Sequence, residues 1–491
     1  MTRSVPSYAA RVAHRGPSLL RQPLVLALIT ALVAVIYGVG LASSLQLLWL
    51  IAVPAALALL VLAFVRPDLV AIIVLAITWG YISEIANKYH GIPSISKPIV
   101  VLLVVVLMFR FLFVRRERLV FDRIILWMLV FFVVICSGLI YARYPDQTML
   151  MVIDFAKDIS LVWVLINFVV SVKNLERGVW LLLGIGAVLG ALAFYQEITG
   201  SHDRNFGGLA RSQIAHISDD FANRPRAGGP MGEPNAFGQQ LLVLVPLGLW
   251  GVMRGRSRLA RSFAVFATIS CIAGVVLSFS RSSYVSLGLA LILFMVYKKL
   301  DFRYILLLIL MTVTLYLFAP PEFQSRFSTL ENLLPGREGV YSEGSFLRRS
   351  VEMRMALNMF ADYPIAGVGA RNFRMLYPAY IRDDGSPVPL EQRDAHSFYL
   401  EIAAEHGLLG LIPFCVILFL TWRRMSRTRQ VALEAGDARL VDLSIALQSG
   451  FAGYLLSATF LHGVYSRFLW LQVAIAIILW RVAKGKMRQG E

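Results

Sequence analysis

Blocks of apolar residues, most of them near the length of one bilayer crossing, recur along this sequence. They fall at 24–42, 45–64, 69–86, 98–114, 124–140, 149–170, 179–196, 235–253, 262–279, 284–297, 304–319, 398–420, 442–461 and 468–480. A spanning helix needs about 20 mostly apolar residues and must satisfy its own backbone, because hydrocarbon offers no water to bond with. The pattern leaves one fold class: an all-α polytopic integral membrane protein of about 12–14 transmembrane helices. A hydrophobic content of 58% and a mean hydropathy of +0.68 exclude a soluble domain.

A net charge of +17 would suit a nucleic-acid binder, but here the basic residues sit at the ends of apolar blocks. With the N-terminus cytoplasmic, the inside segments are 1–22, 65–68, 110–123, 171–178, 251–262, 298–303, 421–441 and 481–491. They make up about a fifth of the chain yet hold 28 of its 47 Lys and Arg residues, which is the positive-inside pattern. Both termini are then cytoplasmic, the second as a basic tail at 481–491, and no nucleic-acid partner is expected. Arg3, Arg11, Arg15 and Arg21 precede the run Leu24–Ala42, where GLASS resembles a cleavage site. The run is long for a signal peptide and a second follows at once, so it reads as an uncleaved first span. Cys136, Cys271 and Cys415 lie in or beside apolar blocks and imply neither a disulfide framework nor zinc.

Two long segments, 197–234 and 320–397, fall outside. A membrane protein keeps such polar stretches where they meet water or line a cavity. The first reads as irregular, and at its end Asn235 or a neighbour caps the next helix. The second passes a Gly/Pro break, LLPGREGVYSEGS, and then offers an amphipathic helix over Phe346–Phe360. Its Phe346, Leu347, Val351, Met355 and Met359 stand at helical spacing. That helix lies over the mouth of the bundle or along the membrane surface.

Charges gather at the outer ends of several helices: Arg224 and Arg226 before the helix from Asn235, Arg281 in a short turn, Arg348 and Arg349 in the amphipathic segment. His396 stands where the polar stretch returns to apolar helix. Each alone has a plain reading: Arg281 snorkels to headgroups, Arg224 and Arg226 are loop charges, His396 is a capped interfacial histidine. Asp394 caps the helix, orients the ring or is solvated. Glu405, nine residues past His396, is too far to touch it and reads, with Glu401, as lying in an otherwise apolar run; Glu405 suits a helix end or an arginine as partner. His406 reads as structural. Asp154, Lys157 and Asp158 share one helix face and either line a pathway or neutralise one another; His462 and Arg467 carry the same two readings.

Taken together, several guanidiniums and one imidazole on one membrane face suit a large anionic group that arrives with its own lipid. A guanidinium fork matches phosphate oxygens. A diphosphate leaves readily once its developing charge is stabilised, and a histidine can take the proton from an attacking hydroxyl. A flippase or transporter would string its cations along a path through the membrane instead.

Four stretches, RPRAGGPMGEPNAFG, SRSSY at 280–284, RRSVEMRMALNMFADYPIAGVGARNFRMLYPAY and DAHSFYLEIAAEHGLLG, occur in an order that resembles the O-antigen ligase and O-antigen polymerase superfamily of bacterial membrane glycosyltransferases. The resemblance covers roughly 175–480, leaving 1–174 as additional N-terminal transmembrane helices. It implies a GT-C-like, metal-independent glycosyltransferase of the inner membrane without cofactor. Such an enzyme moves a glycan from an undecaprenyl-diphosphate carrier to an acceptor hydroxyl on the periplasmic face. The acceptor is a lipid A-core sugar in ligases, another lipid-linked repeat unit in Wzy-type polymerases, and a protein Ser/Thr in a third branch. By the matching motifs, Arg226 or Arg224 holds the diphosphate with Arg281, and His396 acts on the acceptor hydroxyl. Arg348, Arg349, Asp394, Glu405 and Asn235 support them, and Gly367 and Gly369 let the chain pack tightly beside the site.

Overall fold

A break before Pro67 marks the first described turn: helices α1 (Ala58–Val65) and α2 (Pro67–Trp79) meet at 119°. The structure, a computed structural model, describes residues 58–115, 119–215, 224–299, 344–384, 391–463 and 467–490. The expected blocks at 24–42 and 304–319, most of 45–64, residues 216–223 and the first third of 320–397 lie outside them. After α2 come α3 (Ile82–His90), α4 (Ser96–Phe109, continued by a π turn Arg110–Arg115), α5 (Arg123–Tyr141), α6 (Pro145–Phe168) and α7 (Val172–Thr199). A hairpin of β1 (Arg211–Ala215) and β2 (Arg224–Gly229) precedes α8 (Pro234–Leu242), α9 (Leu244–Arg254), α10 (Arg258–Leu277) and α11 (Arg281–Lys298). Then follow α12 (Gly344–Asp362), α13 (Phe373–Asp384), α14 (Phe398–Glu434), α15 (Ala438–Ala458) and α16 (Arg467–Gly490).

Among the described residues eight helices are long and apolar enough to cross a membrane, or nine if α1 and α2 form one bent span. The protein is thus an all-α polytopic membrane protein. Local signals start the helices where the hydropathy pattern expects them: Asp122 accepts from Ile124 N at 3.0 Å, Ser257 from Ala260 N at 3.1 Å and Asp437 from Leu440 N at 3.0 Å. Outward faces stay apolar, with Val101 and Val105 on α4, Val133 and Ile140 on α5, and Phe266 and Ile269 on α10 all exposed. An apolar face of this kind suits lipid, not water.

The segments expected on one side of the membrane assemble at one end of the bundle. Asp442 holds Arg254 at 2.5 Å and Lys298 at 2.6 Å, Glu176 holds Arg439 and Arg256, Asp122 holds Arg424 at 2.8 Å, and Asp437 holds Lys486 at 2.6 Å. Glu176 opens α7, whereas Gln196 near its far end binds the carbonyls of Arg204 and Ala210 that lead into the hairpin. Twenty helical residues rise about 30 Å, so this basic end and the hairpin stand on opposite ends of the bundle.

Three features differ from the sequence reading. Segment 197–234 is not wholly irregular, because β1 and β2 pair antiparallel, Gln213 facing Arg226 and Ile214 facing Pro225. The block at 69–86 is divided at Gly80 and Tyr81, the latter at φ 58°. The block at 398–420 is interrupted at Gly407, whose φ 56° and ψ −158° no other residue tolerates well. The amides past that break are not orphaned: Leu408 N donates to Pro364 O at 2.8 Å and Leu409 N to Ile365 O at 3.0 Å.

Candidate active site

The hairpin puts Arg226 against the turn that launches α11. The C-terminal end of α10 leaves carbonyls without helical partners, and Arg226 takes two of them, Nε donating to Ser278 O at 3.0 Å and Nη2 to Phe279 O at 3.3 Å. Nη2 also reaches Asn235 Oδ1 at 3.3 Å, and Asn235 in turn donates to Glu233 Oε1 at 2.9 Å. Glu233, not Asn235, caps α8, accepting from Ala236 N at 2.8 Å. Asn235 instead tethers Arg226. The chain reverses at Phe279, φ 49°, and Ser280 caps α11, so that Arg281 is its first residue. Arg224 begins β2, two residues before Arg226; its side chain lies outside the described residues.

Over this end of the bundle lies α12. Its apolar stripe, Val351, Met355 and Met359, is buried with Phe373, Tyr377 and Ile381 of α13 and Ala404 of α14. The amphipathic helix therefore packs over the bundle with its apolar face on protein. The loop after it approaches α14 closely: Val368 N donates to Ala404 O and Gly369 N to Glu405 O, both at 2.9 Å. A Cβ on Gly367, at φ 69°, would run into the Glu405–His406 peptide. Glu405 Oε1 accepts from Phe373 N at the start of α13 at 3.2 Å, the helix-end role expected of it. His406 is buried edge-on against Phe131, ring centres 5.3 Å apart.

His396 sits just ahead of α14 at φ 46°, a left-handed conformation that costs a non-glycine residue about 1–3 kcal/mol. Its Nε2 lies 3.8 Å from Glu352 Oε2 on α12, and its ring stands 5.7 Å from that of His462. Glu352 is 1% exposed and is also held by Arg393, 3.5 Å from Oε1. Asp394, two residues from His396, turns to Arg374 at 3.8 Å; neither helix cap nor ring partner, it leaves that place to Glu352.

Charge ties the parts into one cluster. Burial lowers the pKa of Arg226; Glu233 opposes this, while the nearby cations Arg349 and Arg281 add to it. Arg349 also acts on His396, whose ring is pushed down to about 3, first by burial and then by Arg349, His462 and Arg393. Glu352 is pushed up to about 7, chiefly by burial, against the pull of Arg393, Arg349 and Arg348. At neutral pH the imidazole is therefore neutral and can accept a proton. Arg226, Arg281, Arg349 and His396, read separately from the sequence, stand at one end of the bundle, opposite the Glu176–Asp442 cluster. Arg348 is exposed on the same helix turn as Arg349.

Sequence reasoning missed Glu352 and Arg393. Glu352 falls one residue from the apolar stripe of α12 and beside two arginines, where a solvated charge is the ordinary expectation. Among the described residues no three His, Cys, Asp or Glu side chains come together as a metal site.

Residues 266–415 match a family model described as O-Antigen ligase. The matched stretch runs from within α10 into α14 and takes in Arg281, Arg349, Glu352 and His396. No curated protein matches the chain.

Proposed function

For a chain that belongs to the O-antigen ligase and polymerase superfamily, we propose transfer of a glycan from undecaprenyl diphosphate to an acceptor hydroxyl, without a metal, at the periplasmic end of the bundle. The observation that carries this reading is that Arg349 acts both on Arg226, which also feels Arg281, and on His396 and Glu352, which face each other. Guanidiniums from three separate elements offer forked donors to the two phosphates and stabilise the charge that develops as the sugar departs. They take the part that a divalent cation has in other diphosphate chemistry.

In the step itself, His396 takes the proton from the acceptor hydroxyl, and the freed oxygen attacks the anomeric carbon. The new C–O bond forms as the bond to the phosphate oxygen breaks, and undecaprenyl diphosphate leaves with the electron pair. A ring held near pKa 3 is a weak base. A bound diphosphate offsets the cations, Arg349 first, that hold it down, so the base strengthens when the donor is in place. The Glu352 carboxylate beside the ring then favours the imidazolium, as the carboxylate does in a Ser-His-Asp triad. The cations lie at one end of the bundle, which favours an enzyme over a flippase. The positive-inside pattern supports placing the basic Glu176–Asp442 end in the cytoplasm, and both termini with it.

The test is to give the purified protein an undecaprenyl-diphosphate-linked glycan with lipid A-core, or with a second copy of the donor. A glycan attached to lipid A-core identifies a ligase, the expected outcome, and a lengthened lipid-linked glycan identifies a polymerase. If neither product forms and no undecaprenyl diphosphate is released, the reading fails.

A further inference from the structure

A second polar feature lies beside His396. A cavity of about 1070 Å³ opens among α2, α3, α6, the start of α13, the first turns of α14 and the start of α16. That volume is at the top of the usual range for ligand pockets, about 300–1,000 Å³. None of Arg226, Arg281, Arg349 and His396 lines it, but Asp394 and Phe398, two residues to either side of His396, both do. Gly463, next to His462, lines it as well, and its amide donates to Glu401 Oε2 at 2.8 Å. His396 thus stands at the partition between the guanidinium cluster and this cavity.

The two sides of the partition differ in charge. Around Arg226 the bonded partners are carbonyl and amide oxygens, and the cations Arg281 and Arg349 stand near it with Glu233. In the cavity wall both signs of charge stand side by side and several are paired, while Arg211 gives Nη1 to Met231 O at 3.0 Å. Asp154 holds Lys157 at 2.5 Å and Arg371 at 2.8 Å, and Arg467 bridges Glu84 at 2.5 Å and Asp158 at 3.3 Å. With carboxylates and guanidiniums mixed in this way, the edges of the wall present alternating acceptors and donors. Aromatic side chains, Tyr81 and Tyr89 among them, add flat apolar faces. Alternating donors and acceptors with flat faces match a hydroxyl-rich saccharide.

We infer that this cavity binds the terminal sugars of the acceptor, so that donor diphosphate and acceptor glycan approach His396 from its two sides. The inference rests on the proposed transfer reaction and names which substrate enters by which side. A saccharide could also come from the donor's own glycan, and the test separates the two sources.

Gln147 of α6 and Asn87 of α3 line the cavity from different walls and take no part in its ion pairs. Gln147→Trp and Asn87→Trp fill it without removing a charge. In full-length protein in nanodiscs, transfer is measured against lipid A-core and, separately, against a second donor molecule, with undecaprenyl diphosphate binding measured alongside. Each variant is expected to raise the acceptor KM at least tenfold, with donor KM and undecaprenyl diphosphate affinity within twofold of wild type. An unmoved acceptor KM in both variants overturns the inference while leaving the transfer reaction standing. A raised donor KM, or loss of undecaprenyl diphosphate binding in both, overturns it too, because the cavity would then serve the donor. Absence of transfer by the wild type removes the proposed function and this inference with it.

Discussion

Changing Glu352 to Gln keeps the shape of the side chain and removes its charge. Glu352 is 1% exposed, and its Oε2 lies 3.8 Å from His396 Nε2. At an effective dielectric near 20, unit charges at that distance attract by about 4 kcal/mol. Arg393, 3.5 Å from the other carboxylate oxygen, cancels part of that field, so roughly 2–3 kcal/mol remains to favour the imidazolium. At about 1.4 kcal/mol per factor of ten, Glu352→Gln should lower kcat/KM by roughly 30- to 100-fold. The pH profile gives a sharper test. The Glu352 carboxyl is pushed up to about 7, so its ionised form grows as pH rises through 7, and wild-type kcat/KM should climb between about pH 6 and 8. His396, pushed down to about 3, stays neutral across that window and adds no second limb. For stability the sign is opposite. A carboxyl that binds its proton more tightly in the fold than in the unfolded chain stabilises the fold at low pH, and this contribution is lost as pH rises from 4.5 through about 7. Initial rates with a fluorescent lipid-linked donor across pH 5.5–8.5, together with donor affinity, test the prediction. A Gln variant within about threefold of wild type, or one that keeps the climb near pH 7, would refute the role given to Glu352.

Arg281→Lys keeps the charge but loses the planar fork, and should reduce transfer at least a hundredfold at normal membrane abundance; immunoblot and in vitro rate check both. His396→Ala should stop transfer while undecaprenyl diphosphate still binds, and an active variant would remove the base. Chelation with EDTA should leave turnover unchanged, whereas loss restored by Mg²⁺ would contradict the metal-free reaction. Gly190→Ala drives a methyl group into the Ser270 carbonyl where α7 packs on α10. It should cost about 1–3 kcal/mol and lower the melting temperature followed by size-exclusion fluorescence; an unchanged value would refute that packing.

What the sequence makes legible is what local chemistry decides. Block 124–140 became α5 and block 262–279 became α10, because an apolar run bounded by a capping Asp122 or Ser257 specifies a helix with little help from elsewhere. The ends of the bundle followed from charge alone, since Asp442, Glu176 and Asp437 gather lysines and arginines from segments already expected on one side. The break at Gly407 was not legible. It lies in an apolar run that reads as unbroken helix, and the groups that satisfy the exposed amides, Pro364 O and Ile365 O, come from a loop some 40 residues earlier.

Glu352 escaped for a related reason, and Asp394 shows why. A search for the carboxylate beside a histidine looks first along the chain, and Asp394 is two residues away. The backbone at His396 is left-handed, φ 46°. In that conformation the carboxylate before it faces Arg374, while the ring meets a helix more than 40 residues upstream. Glu352 in turn is held deep enough to be pushed up to about 7 only because Val351, Met355 and Met359 seat α12 on α13 and α14. The apolar stripe was read correctly as a helix face. Its consequence for the chemistry is that seating this face lowers a neighbouring carboxylate onto the imidazole, so Val351 or Met355 changed to a polar residue should weaken the reaction without touching any group that meets substrate.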